Sequence, residues 1–258
     1  MKKALLSKLF LSAGLALTAL TVHAGPISDR VEQTKTLLVG TEGTYAPFTF
    51  HDKEGKLTGY DIEVIQAVGD KLGLKVEFKE TQWDAMFAGL NAKRFDVIAN
   101  QVGATEERKK KYSFSLPYNL SRAVIVTRAD NDKIKSFADL KGVKSAQSLT
   151  SNYTALAREN GAVLVTVDSL AQNLELVKQG RVETTVNDQI AVLDYFKQHP
   201  NAGLKIAVKA DESVGSHFTF LQGEDELIAK FDKALQELQA EGTLSQLSIK
   251  WFGDDVTK

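Results

Sequence analysis

The fold class is decided by residues 60–100, which read YDIEVIQAVGDKLGLKVEFKETQWDAMFAGLNAKRFDVIAN. Apolar residues recur at helical spacing and share one face of a predicted helix: Ile62, Ile65, Val68 and Leu72. Gly73 ends this helix, and the alternation in LKVEFKE predicts a half-buried strand. WDAMFAGLNAKR predicts a second helix, and FDVIAN predicts a short buried strand. With the apolar strand at residues 37–39, the order is βαβαβ, which is typical of a parallel sheet covered by helices on both faces.

The same plan recurs in the second half of the chain. A strand near Ser145, a helix over TSNYTALARENG and a strand over AVLVTV are followed by a helix over SLAQNLELVKQGR. VETTV and DQIAVLDYFKQ then predict a further strand and helix. We therefore expect two α/β units of similar plan, with no Pro/Gly-rich linker between them. Extended segments around residues 118–126 and 205–220 are the expected crossings.

The N-terminus has the features of a secretory signal peptide. Three lysines precede an apolar run from Leu9 to Leu20, and the short residues Val22-His23-Ala24 follow. The alternative to a signal peptide is a transmembrane anchor, but the apolar run is too short for a good transmembrane span. We predict that residues 1–24 are removed and that the protein is secreted to the periplasm without a lipid anchor, because the chain has no cysteine.

Composition excludes several classes of function. Removal of the three lysines would change the net charge from −1 to −4. The mature chain is mildly acidic with both signs interspersed, so nucleic-acid binding is not expected. The absence of cysteine excludes a thiol nucleophile, a thiolate metal site and a disulfide framework.

Arg108 stands at an unfavourable place in GATEERKKKYSFS, residues 103–115. Thr105 is a predicted N-cap, and Glu106 and Glu107 suit the positive end of a short helix. A cation in the first turn is disfavoured by about 0.3–1 kcal/mol. We interpret Arg108 as the partner of a ligand anion. The alternative is a solvated side chain in a charged run.

Four loops follow strand ends, where ligands bind in open α/β sheets. They are GTEGTYAPF after Val39, NQVGATEER after Ala99, SLTSNY after the strand near Ser145, and NDQ after Val186. These loops hold most of the candidate binding groups.

At these loops the chain resembles the periplasmic amino-acid-binding proteins that feed ABC importers, the family 3 solute-binding proteins. VGTEGTYAPFTF, GKLTGYDIEV, WDAMFAGLNAKRFDVIANQV, ERKKKYSFSLPY and EGTLSQLSIKWFGDDVTK all resemble family segments, in order. The nearest resemblance is to cystine-binding members. It implies an α/β, two-lobed periplasmic binding protein fold (type II), in which each lobe is a mostly parallel sheet flanked by helices. The first lobe would hold residues 25–119 and 213–258, and the second, inserted lobe residues 120–212, with the ligand cleft at the hinge.

The resemblance also implies roles for individual residues. Arg108 matches the carboxylate-binding arginine, and Asp188 matches the ammonium-binding aspartate. The helix start at Thr150, Ser151 and Asn152 matches the second-lobe segment that also holds the carboxylate. Tyr45 and Trp83 match aromatic positions beside the ligand side chain. Gly103 stands where relatives commonly have serine or threonine, so only its backbone N–H is expected to contact the ligand.

The chemistry of these residues suits an amino acid, which carries a carboxylate and an ammonium on one carbon. Arg108 offers a planar fork of donors, and free N–H groups at a helix start form an anion site. Simple N-capping is the alternative for residues 150–152 and for Asp188, and core packing is the alternative for the aromatic residues.

Further polar residues in the same loops are weaker candidates. Glu42 could receive a second ammonium or remain a solvated loop acid, and Asn100 and Gln101 could offer amide or backbone contacts. Phe50 could line the cleft or fill the first lobe.

We expect a monomeric binding protein that captures a polar amino acid and passes it to the membrane permease of an ABC transporter. Cystine is favoured, with cysteine, glutamine or another polar amino acid as alternatives. No cofactor and no metal are expected. An enzyme on the same fold, such as a dehydratase, is the main alternative, but His51, His199 and His217 have no catalytic spacing. A receptor's sensor domain is a third possibility, disfavoured because no second hydrophobic span follows.

Overall fold

The computed structural model describes residues 25–258, and the predicted signal peptide at residues 1–24 lies outside them. The helices are α1 (Pro26–Thr34), α2 (Tyr60–Leu72), α3 (Trp83–Asn91), α4 (Glu106–Lys109), α5 (Asn152–Glu159), α6 (Leu170–Lys178), α7 (Gln189–Gln198), α8 (Asp225–Ala240) and α9 (Thr243–Phe252), with a 3₁₀-helix at Phe137–Leu140. Among these described helices, none has the length and apolar character needed to cross a bilayer.

The strands are β1 (Thr36–Thr41), β2 (Thr44–Tyr45), β3 (Thr49–His51), β4 (Leu57–Thr58), β5 (Lys75–Glu80), β6 (Val97–Gly103), β7 (Tyr112–Ser121), β8 (Ala123–Arg128), β9 (Lys144–Gln147), β10 (Val163–Thr166), β11 (Thr184–Asp188), β12 (Leu204–Lys209) and β13 (Val214–Leu221). Two five-stranded sheets have the orders β5-β1-β6-β13-β7 and β10-β9-β11-β8-β12, and β2, β3 and β4 form a small third sheet. We call the first sheet with α1–α4, α8 and α9 the first lobe, and the second sheet with α5–α7 the second lobe.

Each large sheet combines parallel and antiparallel pairings. As predicted, β1 is parallel to β5 and β6, and β9 is parallel to β10 and β11. By contrast, β13 is antiparallel to β6 and β7, and β8 is antiparallel to β11 and β12. The chain enters the second sheet through β8 and returns to the first sheet through β13. Each of these two strands runs opposite to its neighbours in the sheet.

Helices cover both faces of the first sheet. On one face, α2 and α8 bury Ile65, Val68 and Phe231, which are fully excluded from solvent. On the other face, α3 buries Met86 and Leu90. Burial of such large apolar side chains contributes about 1.5–3 kcal/mol each. These helix faces, of which the sequence analysis predicts that of α2, therefore form much of the first lobe's core.

The chain crosses between the sheets twice, close to the expected segments. β7 of the first sheet ends at Ser121 and β8 of the second begins at Ala123, while β12 ends at Lys209 and β13 begins at Val214. Only short connections therefore join the two sheets. The division of the chain at residues 119/120 and 212/213 stays a prediction.

Two contacts distant in sequence close the first lobe. The Leu120 N–H donates to the carbonyl of Val256 in the C-terminal tail at 2.7 Å. Glu224, before α8, accepts hydrogen bonds from the N–H groups of Ile27 (3.1 Å) and Ser28 (2.7 Å) at the start of α1. Gly25, the N-cap of α1, has no side chain that could accept them, so Glu224 takes this role.

One local feature differs from the sequence prediction, whereas α3 begins at Trp83, the first residue of the predicted helix WDAMFAGLNAKR. The small antiparallel sheet of β2, β3 and β4 was not predicted, because these strands have only two or three residues each, too few to show alternation.

Candidate functional site

A cleft lies between the lobes and is lined mainly by polar groups. Its first-lobe residues are Glu42, Tyr45, Trp83, Asn100 and Gln101, and its second-lobe residues are Ser148, Ser151, Asn152, Tyr153, Asp168, Ser169, Leu170, Asn173 and Asn187. Seven of the residues that the sequence analysis names as candidates are among them: Glu42, Tyr45, Trp83, Asn100, Gln101, Ser151 and Asn152. The loops at the strand ends therefore meet, as the sheet topology predicts.

Arg108 lies beside this cleft and borders a second cavity. Ser151 and Asn152 line both cavities, whereas Arg108 and Thr150 line the second one. The two cavities therefore meet at the start of α5, with Arg108 on one side of it. A ligand carboxylate at the junction would lie between Arg108 and the N-terminus of that helix.

Arg108 is held by the protein but has no anionic partner within it. The side chain is 9% exposed. Its guanidinium donates to the carbonyls of Gly103 (3.0 Å) and Thr150 (3.1 Å), and its Cζ lies 5.3 Å from the Trp83 ring centroid and 5.0 Å from that of Phe87. Burial lowers the pKa of Arg108 to about 10, which leaves it charged at neutral pH. Within residues 25–258, no carboxylate forms a salt bridge with it.

Arg108 lies in the predicted short helix. Thr105 is the N-cap of α4, and its hydroxyl accepts a hydrogen bond from the Arg108 N–H at 3.3 Å. Arg108 is therefore in the first turn, as the sequence predicts. The side chain turns away from solvent, whereas Lys109 is exposed and pairs with Glu106. In this run of charged residues, Arg108 is therefore buried, whereas the three lysines that follow it are exposed.

Thr150 joins the lobes through both its donors. Its N–H and its hydroxyl donate to Asp84 at 2.9 and 2.7 Å, and the neighbouring Leu149 N–H donates to the same carboxylate at 3.0 Å. Since the Thr150 carbonyl also accepts from Arg108, its polar backbone groups are occupied in this arrangement.

Ser151 and Asn152 stand at the N-terminus of α5. Ser151 is the N-cap, and its hydroxyl accepts a hydrogen bond from the Tyr153 N–H at 3.1 Å. In the described part of the chain, the N–H groups of Ser151 and Asn152 have no acceptor. Free N–H groups at a helix start favour an anion, so this end of the cleft is suited to a carboxylate.

Asp188 is buried, 3% exposed, and caps α7. Its carboxylate accepts hydrogen bonds from the N–H groups of Ile190 (2.7 Å) and Ala191 (3.2 Å) and from the Tyr153 hydroxyl at 3.1 Å. Burial raises the pKa of Asp188, although these N–H groups and the Tyr153 hydroxyl act in the opposite direction. Asp188 does not itself line the cleft, but it is hydrogen-bonded to Tyr153, which does.

Tyr45 and Glu42 have defined positions in the first lobe's part of the cleft. The Tyr45 hydroxyl reaches across and donates to the Asn187 side-chain carbonyl at 2.8 Å. Glu42 accepts from the Asn100 amide at 3.0 Å, while its N–H donates back to the Asn100 side-chain carbonyl at 2.7 Å. Glu42 is half-buried and hydrogen-bonded to Asn100, so it is not a fully solvated loop acid, and this burial raises its pKa.

Gln101 lines the cleft, but its side chain and its backbone N–H are both bound by other groups of the protein. The amide donates to Asp61 at 2.6 Å and accepts from the Ser216 hydroxyl at 2.6 Å. The Gln101 N–H donates to Asp61 at 2.8 Å, and its φ of 52° is in the left-handed region. Such a conformation in a non-glycine residue is held by surrounding contacts and is often found at functional sites.

Gly103 and Phe50 lie outside the cleft lining. The Gly103 carbonyl accepts from Arg108 at 3.0 Å and so helps to orient the guanidinium. Phe50 packs edge-on against Trp251, with ring centroids 5.9 Å apart, which places it with the packing of the first lobe.

The sequence analysis did not single out several cleft residues. They are Ser148, Tyr153, Asp168, Ser169, Asn173 and Asn187. Ser148, Tyr153 and Asn187 lie in the quoted strand-end loops, so their position was a usable signal. Asp168, Ser169 and Asn173 belong to the start of α6, where the pattern indicates only an amphipathic helix.

Comparison with known proteins identifies the family. Residues 37–254 match the model of the bacterial extracellular solute-binding proteins, family 3. The chain is 64% identical over 258 residues to a probable amino-acid ABC transporter-binding protein of Haemophilus influenzae, with 100% of both chains covered. It is 52% identical over 269 residues to the L-cystine-binding protein TcyA of Bacillus subtilis, again with 100% of both chains covered.

Two solved structures of similar fold identify the fold class. The unliganded, open L-cystine solute receptor of Neisseria gonorrhoeae is 56% identical, covers 91% of this chain and 100% of its own, and gives a TM-score of 0.62. An ancestral arginine-binding protein bound to arginine is 39% identical, covers 85% of this chain and 99% of its own, and gives a TM-score of 0.80. This chain therefore superposes better on the arginine-bound protein than on the unliganded, open receptor. The fold is the two-lobed type II periplasmic binding fold, and the chain belongs to the bacterial extracellular solute-binding proteins of family 3.

Proposed function

We propose that this protein captures L-cystine between its two lobes and delivers it to the permease of an ABC transporter. Cysteine, glutamine or another polar amino acid is the alternative ligand. The names of the related proteins from Bacillus subtilis and Neisseria gonorrhoeae support cystine. The polar lining of the cleft supports a polar ligand of some kind.

The observation that carries the proposal is the buried, anion-free guanidinium of Arg108. A buried charge needs a partner, yet within the described chain the Arg108 guanidinium donates hydrogen bonds only to the carbonyls of Gly103 and Thr150. A ligand carboxylate at the junction of the two cavities would supply the missing charge. Ser151 and Asn152 would donate their N–H groups to the same carboxylate.

The ammonium of the ligand would be held by Asp188 together with neighbouring oxygen atoms. The Asp188 carboxylate is buried and touches Tyr153, a cleft residue. An approaching ammonium would favour the charged carboxylate and so act against the effect of burial on its pKa. The backbone carbonyl of Gln101 is a further acceptor, and the rings of Tyr45 and Trp83 would flank the side chain.

Binding would proceed by hinge closure. Contacts between Asp84 and Thr150, Arg108 and Thr150, and Tyr45 and Asn187 join the lobes in the present arrangement. A ligand that binds both lobes would add to these contacts and so shift the population towards the closed form.

The cellular setting is also part of the proposal. We place the mature protein in the periplasm, after removal of residues 1–24, as a monomer that docks on a membrane permease. No cofactor, metal or nucleic acid takes part in this scheme.

A thermal-shift screen of the mature protein against the amino acids and cystine tests the proposal. The protein is first unfolded and refolded to remove endogenous ligand. Preferential binding to the native state raises the melting temperature, so cystine should give the largest shift. No shift with any amino acid would contradict the proposed function, and product formation seen by NMR would favour the dehydratase alternative.

A further inference from the structure

The start of α6 forms part of the cleft that the proposed contacts of the ligand carboxylate and ammonium do not use. Asp168, Ser169, Leu170 and Asn173 all line the cleft. None of them lines the second cavity, which Arg108 borders. Since the two cavities meet at Ser151 and Asn152, α6 lies beyond this junction as seen from Arg108.

Asn173 has an unsatisfied polar atom at this place. The residue is 2% exposed, and its side-chain carbonyl oxygen has no hydrogen-bond partner among residues 25–258. It lies on the buried face of α6, next to the apolar Leu174 and one turn from Val177. A buried acceptor without a partner is unfavourable, and a packing role would be served better by an apolar residue.

The residues at the start of α6 offer both N–H donors for an anion and oxygen acceptors for an ammonium. Ser169 is the N-cap and accepts from the Gln172 N–H at 3.3 Å, so the preceding N–H groups of the first turn have no intrahelical acceptor and face an anion favourably. Asp168 is exposed, and its N–H is held by the Gln172 side chain at 3.0 Å. The carboxylate of Asp168 and the carbonyl of Asn173 can both accept from an ammonium.

We propose that the start of α6 is a distal subsite that binds the second amino-acid end of a ligand with an amino acid at each end. This inference rests on the proposed function and specifies its ligand class, a diamino dicarboxylic acid such as cystine. The N–H groups of the first turn of α6 bind the distal carboxylate. Asp168 and Asn173 bind the distal ammonium, while Glu42 lines the same cleft from the first lobe.

Calorimetry with a long and a short ligand tests the subsite. L-Cystine carries both ends, whereas S-methyl-L-cysteine carries one end and a short thioether. Asn173→Ala is expected to lower the affinity for L-cystine at least about tenfold and that for S-methyl-L-cysteine less than about threefold. Asp168→Asn, a substitution of an exposed residue, is expected to lower the affinity for L-cystine alone by about three- to tenfold. Lys178→Ala, at the exposed far end of α6, is the control and should change neither.

The outcomes separate the subsite from the proposed function. Native protein that binds L-cystine, with variants that lose affinity for both ligands equally or for neither, would overturn the subsite alone. Native protein that binds no amino acid would overturn the proposed function and, with it, the subsite. If Asn173→Ala does not fold, Asp168→Asn decides by the same comparison.

Discussion

Asp84 of the first lobe accepts hydrogen bonds from the N–H of Thr150 in the second lobe at 2.9 Å and from its hydroxyl at 2.7 Å. Asp84 is the second residue of α3, directly after Trp83, and it is not among the residues that line the cleft. The contact therefore stabilises the approach of the lobes without touching the proposed ligand position.

Asp84→Ala should weaken ligand binding from outside the site. Loss of these contacts lowers the fraction of closed protein, and the apparent affinity falls in proportion to that fraction. We expect a three- to tenfold higher Kd by calorimetry, or about 1 kcal/mol, and a larger radius of gyration for the ligand-free variant in solution scattering. Asp132→Ala, an exposed acid of the second lobe, is the control. Unchanged affinity and scattering would contradict a role for Asp84 in closure.

Asp188→Asn should separate helix capping from ligand binding. Asparagine is as good an N-cap as aspartate, so α7 and the melting temperature should be nearly unchanged. The neutral amide attracts an ammonium less, and we expect affinity to fall at least about tenfold. Asp188→Ala should also lose about 1 kcal/mol of stability, measured by urea unfolding. If Asp188→Asn binds the ligand with the same affinity as the native protein, Asp188 serves only as a helix cap.

Asp61 should make stability depend on pH. Burial raises the pKa of Asp61 to about 7, against about 4 in an unfolded chain. Between these values the native state binds more protons than the unfolded state, so the free energy of unfolding falls as pH rises from about 4 to about 7. The slope for one such group is at most about 1.4 kcal/mol per pH unit.

Urea unfolding of native protein and Asp61→Asn at several pH values in this range checks the effect. Asparagine resembles the protonated acid, so the variant should show a flatter dependence on pH. Asp132→Asn should retain the native slope. Equal slopes for the native protein and Asp61→Asn would show that Asp61 does not titrate in this range.

Glu224→Ala should destabilise the protein without changing its ligand affinity. Glu224 is 2% exposed and also accepts from the Ser28 hydroxyl at 2.8 Å. Removing it leaves the donors at the start of α1 without an acceptor, and we expect the free energy of unfolding to fall by about 1–3 kcal/mol. Glu226→Ala, in the first turn of α8, should change it by less than about 0.5 kcal/mol. Similar stability of the two variants would contradict the capping role.

The elements with a clear periodic pattern could be predicted from the sequence. The buried face of α2 and the strand-helix order follow from residues such as Ile65 and Val68, whose spacing alone decides burial. The position of Arg108 in the first turn of α4 was also predictable, because Thr105 marks the helix start. Local signals of this kind need no knowledge of distant contacts.

Other features depend on partners far away in the chain and leave no local signal. The sequence predicts the polar side chain of Gln101 in a strand-end loop, but Gln101 lies within β6, and Asp61 binds both its side chain and its N–H. Asn173 occupies a helical position that the pattern assigns to the core. Glu224 looks like a surface acid, yet it caps a helix 196 residues earlier in the chain.

Calorimetric titration of L-cystine into refolded, ligand-free protein tests the central claim most directly when native protein is compared with Arg108→Ala and Arg108→Lys. The account predicts saturable binding to the native protein and, because the ligand carboxylate loses its buried partner, an affinity at least about 100-fold lower for Arg108→Ala. Arg108→Lys should lie in between, since the charge remains and the fork of donors is lost. Near-native affinity in a folded Arg108→Ala protein would contradict the claim.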